Sequence, residues 1–336
     1  MVKKYVFLMI FALSITSVQY HSIRGAVLTG PHAEYKVTSF LSMATGFDCF
    51  KENQKYFWKA RVASCAVSGA FAKLNGLRYG DRQPVSYADV IAMDQCIWLF
   101  MTLICIILFS KIPFLMIAVT GIALQYAWLP MSEAQVNPWD AQSLFFWFIV
   151  LLVNNTKHRK MILFIIPVGA LFKEIVAVLS ILILFWDDVS VRDRLKLFLI
   201  IGFSCVGIKM IQGAIAGCPI LGNQSFHYET KCRTGEYWII HRNLNYFFKW
   251  SNFNPIWFSV TGIYTGLFLL PIHKKYRIIA IVYCCTVFIP GNITEGRLWH
   301  ELIPVFLVGY ETIRRAENGR EYEKNDKAGK YVEKAQ

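Results

Sequence analysis

Apolar residues in this chain come in long blocks separated by short polar clusters. The first block, Tyr5 to Val18, follows Lys3-Lys4, and further blocks lie at about 62–77, 94–110, 112–129, 139–153, 161–186, 195–213, 254–271, 277–290 and 302–313. A helix crosses the hydrocarbon core of a bilayer with about 20 apolar residues. The pattern predicts an all-α, polytopic integral membrane protein with roughly nine to eleven transmembrane or short paired helices and outer-face loops. Two stretches, about 19–61 and 214–254, are too polar to span and are expected as outer loops. One polytopic membrane domain is expected over 1–316, followed by a charged cytoplasmic tail over 317–336 whose composition favours disorder.

The basic clusters set an orientation. Lys157/Arg159/Lys160, Arg192/Arg194/Lys196, Lys274/Lys275/Arg277 and Arg314/Arg315 fall at block edges, where Lys and Arg favour the cytoplasmic side. The first two clusters flank 161–186, which as one helix would put them on opposite sides. Lys173-Glu174 divides that block into two apolar halves, each about 18 Å long at 1.5 Å per residue. A hairpin of two short helices with Lys173-Glu174 at its outer turn restores the parity. Segment 195–213 then runs outward, 254–271 returns, 277–290 goes out, and the loop at 291–301 is external. In the first half, placing Pro138-Trp139-Asp140 outside needs a segment that does not cross. Arg61, Ser64, Ser68 and Lys73 make 62–77 only weakly apolar, so a non-crossing or re-entrant course is expected there. The Lys3-Lys4 start has the charged and apolar regions of a secretory signal but no small-x-small cleavage site, and is read as a retained anchor.

Composition agrees with the blocks. Hydrophobic residues make up 55% of the 336, charged residues only 17%, and mean hydropathy is +0.41, which excludes an ordinary soluble domain. The formal charge of +13 comes from short clusters between apolar runs and not from a continuous basic face on a polar module, so no nucleic-acid partner is expected. Membrane lipids are the expected surroundings. Trp128, Trp139, Trp147, Trp186, Trp250, Trp257 and Trp299 lie near block ends, as interfacial aromatic belts would place them. Cys65, Cys96, Cys105, Cys205, Cys284 and Cys285 fall in apolar segments and read as small buried hydrophobes. Cys218 and Cys232 share the late polar loop and could pair if it faces an oxidising compartment. No Cys or His spacing matches a metal site, so no cofactor is expected beyond a weakly held divalent cation.

The candidate chemistry collects on the outer face. Glu295, Arg297, His300 and Glu301 lie between two apolar blocks, where each ionisable group costs about 2.5–3.5 kcal/mol unless paired or wet. Glu34, Asp48, Arg61, Asp140, Lys173, Glu174 and Arg242 join them from loops far apart in sequence. A carboxylate at a dry face can take a hydroxyl proton. Lys and Arg can hold phosphate oxygens, Arg through a bidentate fork. Plainer roles exist: Lys173-Glu174 as an ion pair at a helix turn, and Asp140 as the acid in a first helical turn after Pro138.

The order of these features resembles a known family. Glu34-Tyr35, Phe40 to Ala44 and Tyr56-Phe57-Trp58-Lys59-Ala60-Arg61, then Lys173-Glu174 between short helices, then Glu295-Gly296-Arg297 leading to Glu301-Leu302-Ile303-Pro304, are similar to elements of bacterial polytopic glycosyltransferases of the GT-C superfamily. The likeness implies transfer of a sugar from a polyprenyl-phosphate donor to a lipid or polysaccharide acceptor at the extracytoplasmic face of a bacterial inner membrane. It implies Glu34 as the base, with Asp48 as substitute. Arg61, Lys173 and Arg297 would then hold phosphate or build the polar network, and Asp140, Glu174, Arg242, Glu295, His300 and Glu301 complete the substrate-binding set. Two departures stand against it: the family's acid is usually Asp, and its Leu-x-Pro after the Arg is replaced here by Val62-Ala63-Ser64-Cys65. A polysaccharide polymerase or ligase, with its large Arg-bearing outer loop, and a transporter or flippase of an anionic lipid or solute are the alternatives. A transporter tends to show paired broken helices, and one break is visible here.

Overall fold

The computed structural model describes residues 2–29, 61–76, 84–109, 138–215, 271–288 and 300–314. Among them every regular element is helical and there is no strand. The elements are α1 (Val2–Thr29), α2 (Val62–Leu74), α3 (Pro84–Phe109) and α4 (Pro138–Asn154), then a 3-10 turn (Arg159–Met161) and α5 (Ile162–Phe172). After these come a 3-10 segment (Glu174–Phe185), α6 (Val191–Ile215), α7 (Lys274–Phe288) and α8 over 302–314. Three stretches, Val6–Gly25, Ala88–Leu108 and Val191–Ala214, are long and apolar enough to cross a membrane.

The core forms around α4, whose Leu144, Trp147, Phe148, Val150 and Leu151 are fully buried. Trp147 meets the edge of Tyr283 with ring centroids 5.2 Å apart. It therefore lies mid-helix in the core and not at an interface as expected, because an apolar block buries its interior aromatics wherever a neighbouring helix supplies a ring to pack on. On one flank α3 runs beside α1, with Leu8 and Ala12 joining Leu99, Leu103 and Ile106 in the same core. On the other flank the expected hairpin is present. α5 and the 3-10 segment pack on each other, and the chain reverses at Lys173, which is extended at φ −151° and ψ 123°. Gly169 allows the close approach: a Cβ there would lie 2.7 Å from Val176 Cγ1 and 3.0 Å from Phe146 Cγ. A 3-10 helix has three residues per turn, so Val176, Leu179 and Leu182 stack on one face, and all three are fully buried.

At the far end of the hairpin, Trp186 donates its Nε1–H to Asn154 Oδ1 at 3.0 Å, Arg159 pairs with Asp188, and the Arg159 guanidinium lies 5.0 Å from the Trp186 ring centroid. Tyr276 donates to Asn155 Oδ1 at 2.8 Å, and Asn155 donates to Thr312 Oγ1 at 3.3 Å. These contacts draw the end of α4, the two hairpin feet and the starts of α6 and α7 to the end of α8. The clusters around Lys157, Arg192, Lys274 and Arg314 thus share one end of the bundle, as the parity argument required.

Helix α2 stays at the opposite end. Arg61, just before it, pairs with Glu174, while Ala72 and Phe71 pack on Ala88, Ile91 and Ala92 of α3 and Ile23 of α1. Its described residues do not run down to the basic clusters. Two boundaries differ from expectation. The loop expected at 19–61 begins later, because α1 continues to Thr29, and α3 starts at Pro84, ten residues before the apolar block at 94. One pairing accounts for both: Asp89 accepts from Tyr20 Oη at 2.9 Å and pairs with Arg24, so polar residues in each extension answer the other. Pro84 suits a first helical position, where its missing N–H leaves nothing unsatisfied. The block at 112–129, all but the last residue of the block at 254–271, the rest of both outer loops and the tail at 317–336 lie outside the described residues.

Candidate functional site

Two linked polar clusters occupy the end opposite the basic clusters. The buried one centres on Lys173. Its Nζ donates to Asp140 Oδ1 at 2.9 Å and to Glu301 Oε1 at 2.5 Å. α4 supplies Asp140 and Ser143 three residues apart, hence on one face. Ser143 donates to Glu301 Oε1 at 3.0 Å, and Tyr283 of α7 donates to Glu301 Oε2 at 2.8 Å. The turn before α8 brings His300, whose Nε2 lies 3.1 Å from the Asp140 carbonyl oxygen and 3.4 Å from Glu301 Oε1. Glu301 and His300 are fully buried. Burial opposes charge on Glu301, but the neighbouring His300 and Lys173 outweigh it and hold the carboxyl below the ordinary glutamate value. Asp140 sits in the first turn of α4 as well as on Lys173, so its helix-start role and its network role coexist.

The second cluster is shallower. Arg61 presents two nitrogens to Glu174, Nε at 3.0 Å from Oε2 and Nη2 at 2.5 Å from Oε1, and Lys209 of α6 reaches Oε2 at 3.3 Å. Lys173 and Glu174 are adjacent yet serve different clusters, since an extended residue sends its side chain opposite to its neighbour's. Gln212 fastens α6 to the tip of the hairpin by donating to the Leu171 carbonyl at 2.6 Å. A buried polar chain runs from here into α3: Ser64 contacts Gln142, Gln142 donates to Ser68 Oγ at 3.4 Å, and Ser68 donates to Asp94 Oδ2 at 2.6 Å.

No family model, curated protein or solved structure matches this chain. What the site can do therefore follows from its own groups.

The structure brings together six of the residues singled out from sequence: Arg61, Asp140, Lys173, Glu174, His300 and Glu301. Glu34, Asp48, Arg242, Glu295 and Arg297 lie outside the described residues. Ser143, Lys209, Tyr283 and the Ser64–Gln142–Ser68–Asp94 chain were not anticipated. The signal for Lys209 and Asp94 was present, since an ionisable residue inside an apolar block marks a polar contact by default. The hydroxyls carried no such mark. Among the described residues no group of three His, Cys, Asp or Glu is placed to hold a metal ion. Asp140 and Glu301 come near to one, but the Lys173 ammonium occupies the position between their carboxylates.

Chemically, the deep cluster is a pre-organised scaffold. Buried charges are tolerated only when paired and hydrogen-bonded, and here two carboxylates, one ammonium, one imidazole and two hydroxyls meet that condition. It fixes the turn before α8, the start of α4 and the tip of the hairpin relative to one another. The shallow cluster places a guanidinium fork and a second cation around a carboxylate at the bundle end.

Proposed function

We propose that this chain is a polytopic integral membrane protein of a bacterial inner membrane. It transfers a sugar from a polyprenyl-phosphate donor to a lipid or glycan acceptor at the extracytoplasmic face. One observation carries the reading: seven acidic, basic or imidazole side chains from five separate stretches converge at one end of the bundle, while the basic clusters converge at the other. Under the positive-inside rule that polarity puts the convergent end outside, where a lipid-linked donor and a surface acceptor would meet. Among the described residues, three helices long and apolar enough to span support the membrane setting. In this reading Arg61 and Lys209 face the donor phosphate, the Lys173 cluster holds their support rigid, and Glu34, or Asp48 in its place, accepts the acceptor's hydroxyl proton.

Purified protein, a polyprenyl-phosphate sugar and a labelled acceptor test it. Glu34→Gln should lower kcat with donor KM little changed, because a base acts only as the bond forms. Arg297→Ala should raise donor KM by about ten- to a hundred-fold, the size of a lost charge-assisted contact. Full transfer by Glu34→Gln moves the base to Asp48. Absence of transfer together with uptake of an anionic solute into proteoliposomes would replace the enzyme by a transporter.

A further inference from the structure

The shallow cluster is layered: the Arg61 and Lys209 side chains are 7% and 11% exposed, whereas the Glu174 side chain they share is 38% exposed. Glu174 is thus the most exposed member of the cluster, and both cations are largely buried beside it. Arg61 grips Glu174 through two nitrogens at once, and a phosphate group offers the same fork a pair of oxygens, with equal charge as a diester and greater charge as a monoester. Glu174 itself is the first residue of the 3-10 segment, next to the extended Lys173, so its side chain can swing without disturbing a helix interior. Lys173 stays anchored by Asp140 and Glu301.

From this layering we infer that Arg61 and Lys209 form a binding site for a phosphate monoester or diester, and that Glu174 occupies it as a built-in competitor which the incoming phosphate displaces. The inference rests on the phosphate-donor reading above but concerns binding alone. The ligand class is a phosphate carried on a lipid, since the cluster lies at the end of an apolar bundle, and a free phosphate shares the same recognition chemistry.

Isothermal titration of the purified full-length protein in detergent tests it, with inorganic phosphate and a short-chain isoprenyl phosphate as separate probes. Glu174→Gln should tighten isoprenyl phosphate binding by about ten-fold, the size of a charge-assisted contact no longer lost to the competitor. Lys209→Gln should weaken it by a similar factor. Glu174→Asp, whose shorter carboxylate reaches the fork poorly, should fall between wild type and Glu174→Gln, and serves if the Gln variant does not fold. Tighter binding of the isoprenyl probe than of inorganic phosphate identifies a lipid-borne ligand, and equal binding a free one. Unchanged or weaker binding by the Glu174 variants, or no binding of either probe to any form, overturns the proposal. Displacement without sugar transfer would leave this site standing while removing the transferase reading, and transfer with no Glu174 effect would do the reverse.

Discussion

Replacing Lys173 by Met should be among the most damaging single changes outside the apolar core. The Lys173 side chain is 6% exposed and lies between Asp140 and Glu301, themselves 5% and 0% exposed. Met keeps the length of the side chain but removes the ammonium, leaving two buried carboxylates facing each other. Removing one partner of a buried ion pair costs about 3–5 kcal/mol, because the remaining charge is uncompensated. Glu301→Gln is milder: Lys173 keeps Asp140, the Tyr283 and Ser143 hydroxyls keep an amide to bond, and about 1.5–3 kcal/mol is lost with the charge-assisted contact. The double variant should lose less than the sum of the singles, with a coupling of about 0.5–3 kcal/mol, since one buried negative charge goes with the positive one. SDS-induced unfolding of the purified protein in mixed micelles, followed by tryptophan fluorescence, reads all three. A Lys173→Met cost below about 1 kcal/mol, or strict additivity in the cycle, would show that the network is wetter or looser than its distances state.

Further outcomes follow from the same geometry. In a cysteine-depleted background, a cysteine at position 75, at the exposed end of α2, should react with an impermeant label from outside, and one at position 188 only from the cytoplasm. The opposite result reverses the bundle. Gly169→Ala should cost about 1–3 kcal/mol by overpacking against Val176 and Phe146. Gly202→Ala, whose Cβ meets nothing within 4 Å, should be neutral or slightly stabilising through helix propensity, as the same SDS titration would show. Sugar transfer should persist in chelator or fall only modestly; tightly bound zinc found by elemental analysis would contradict this.

The hairpin was legible because two independent constraints met at it: the basic clusters on either side demanded an even number of crossings, and Lys173-Glu174 offered the one polar break. The site's long-range pairs were legible only as a set. Ionisable groups inside or beside apolar blocks must find partners, but nothing in the spacing says that Lys173 chooses Asp140 and Glu301 while Glu174 chooses Arg61 and Lys209. That choice belongs to the extended backbone at 173, a tertiary outcome. The boundaries of α1 and α3 were misread because Tyr20, Arg24 and Asp89 each look unfavourable to an apolar helix alone, and become favourable only as a group. The identity of the return limb as 3-10 left no trace in its composition, which reads as any buried apolar helix.

That winding has a consequence for reach. A 3-10 helix rises about 2.0 Å per residue, so the 12 residues of Glu174–Phe185 extend about 24 Å, against about 18 Å for the same residues as an α-helix. The outgoing limb is α-helical over Ile162–Phe172 and rises about 16 Å, and the 3-10 turn at Arg159–Met161 adds about 6 Å more. The two limbs therefore come out nearly equal in length, which brings Asp188 back level with Arg159 and Trp186 back to Asn154. Were the return limb to rewind as an α-helix it would shorten by about one α-helical turn. The chain would then have to give up either the clasp at its feet or the placement of Glu174 at its tip.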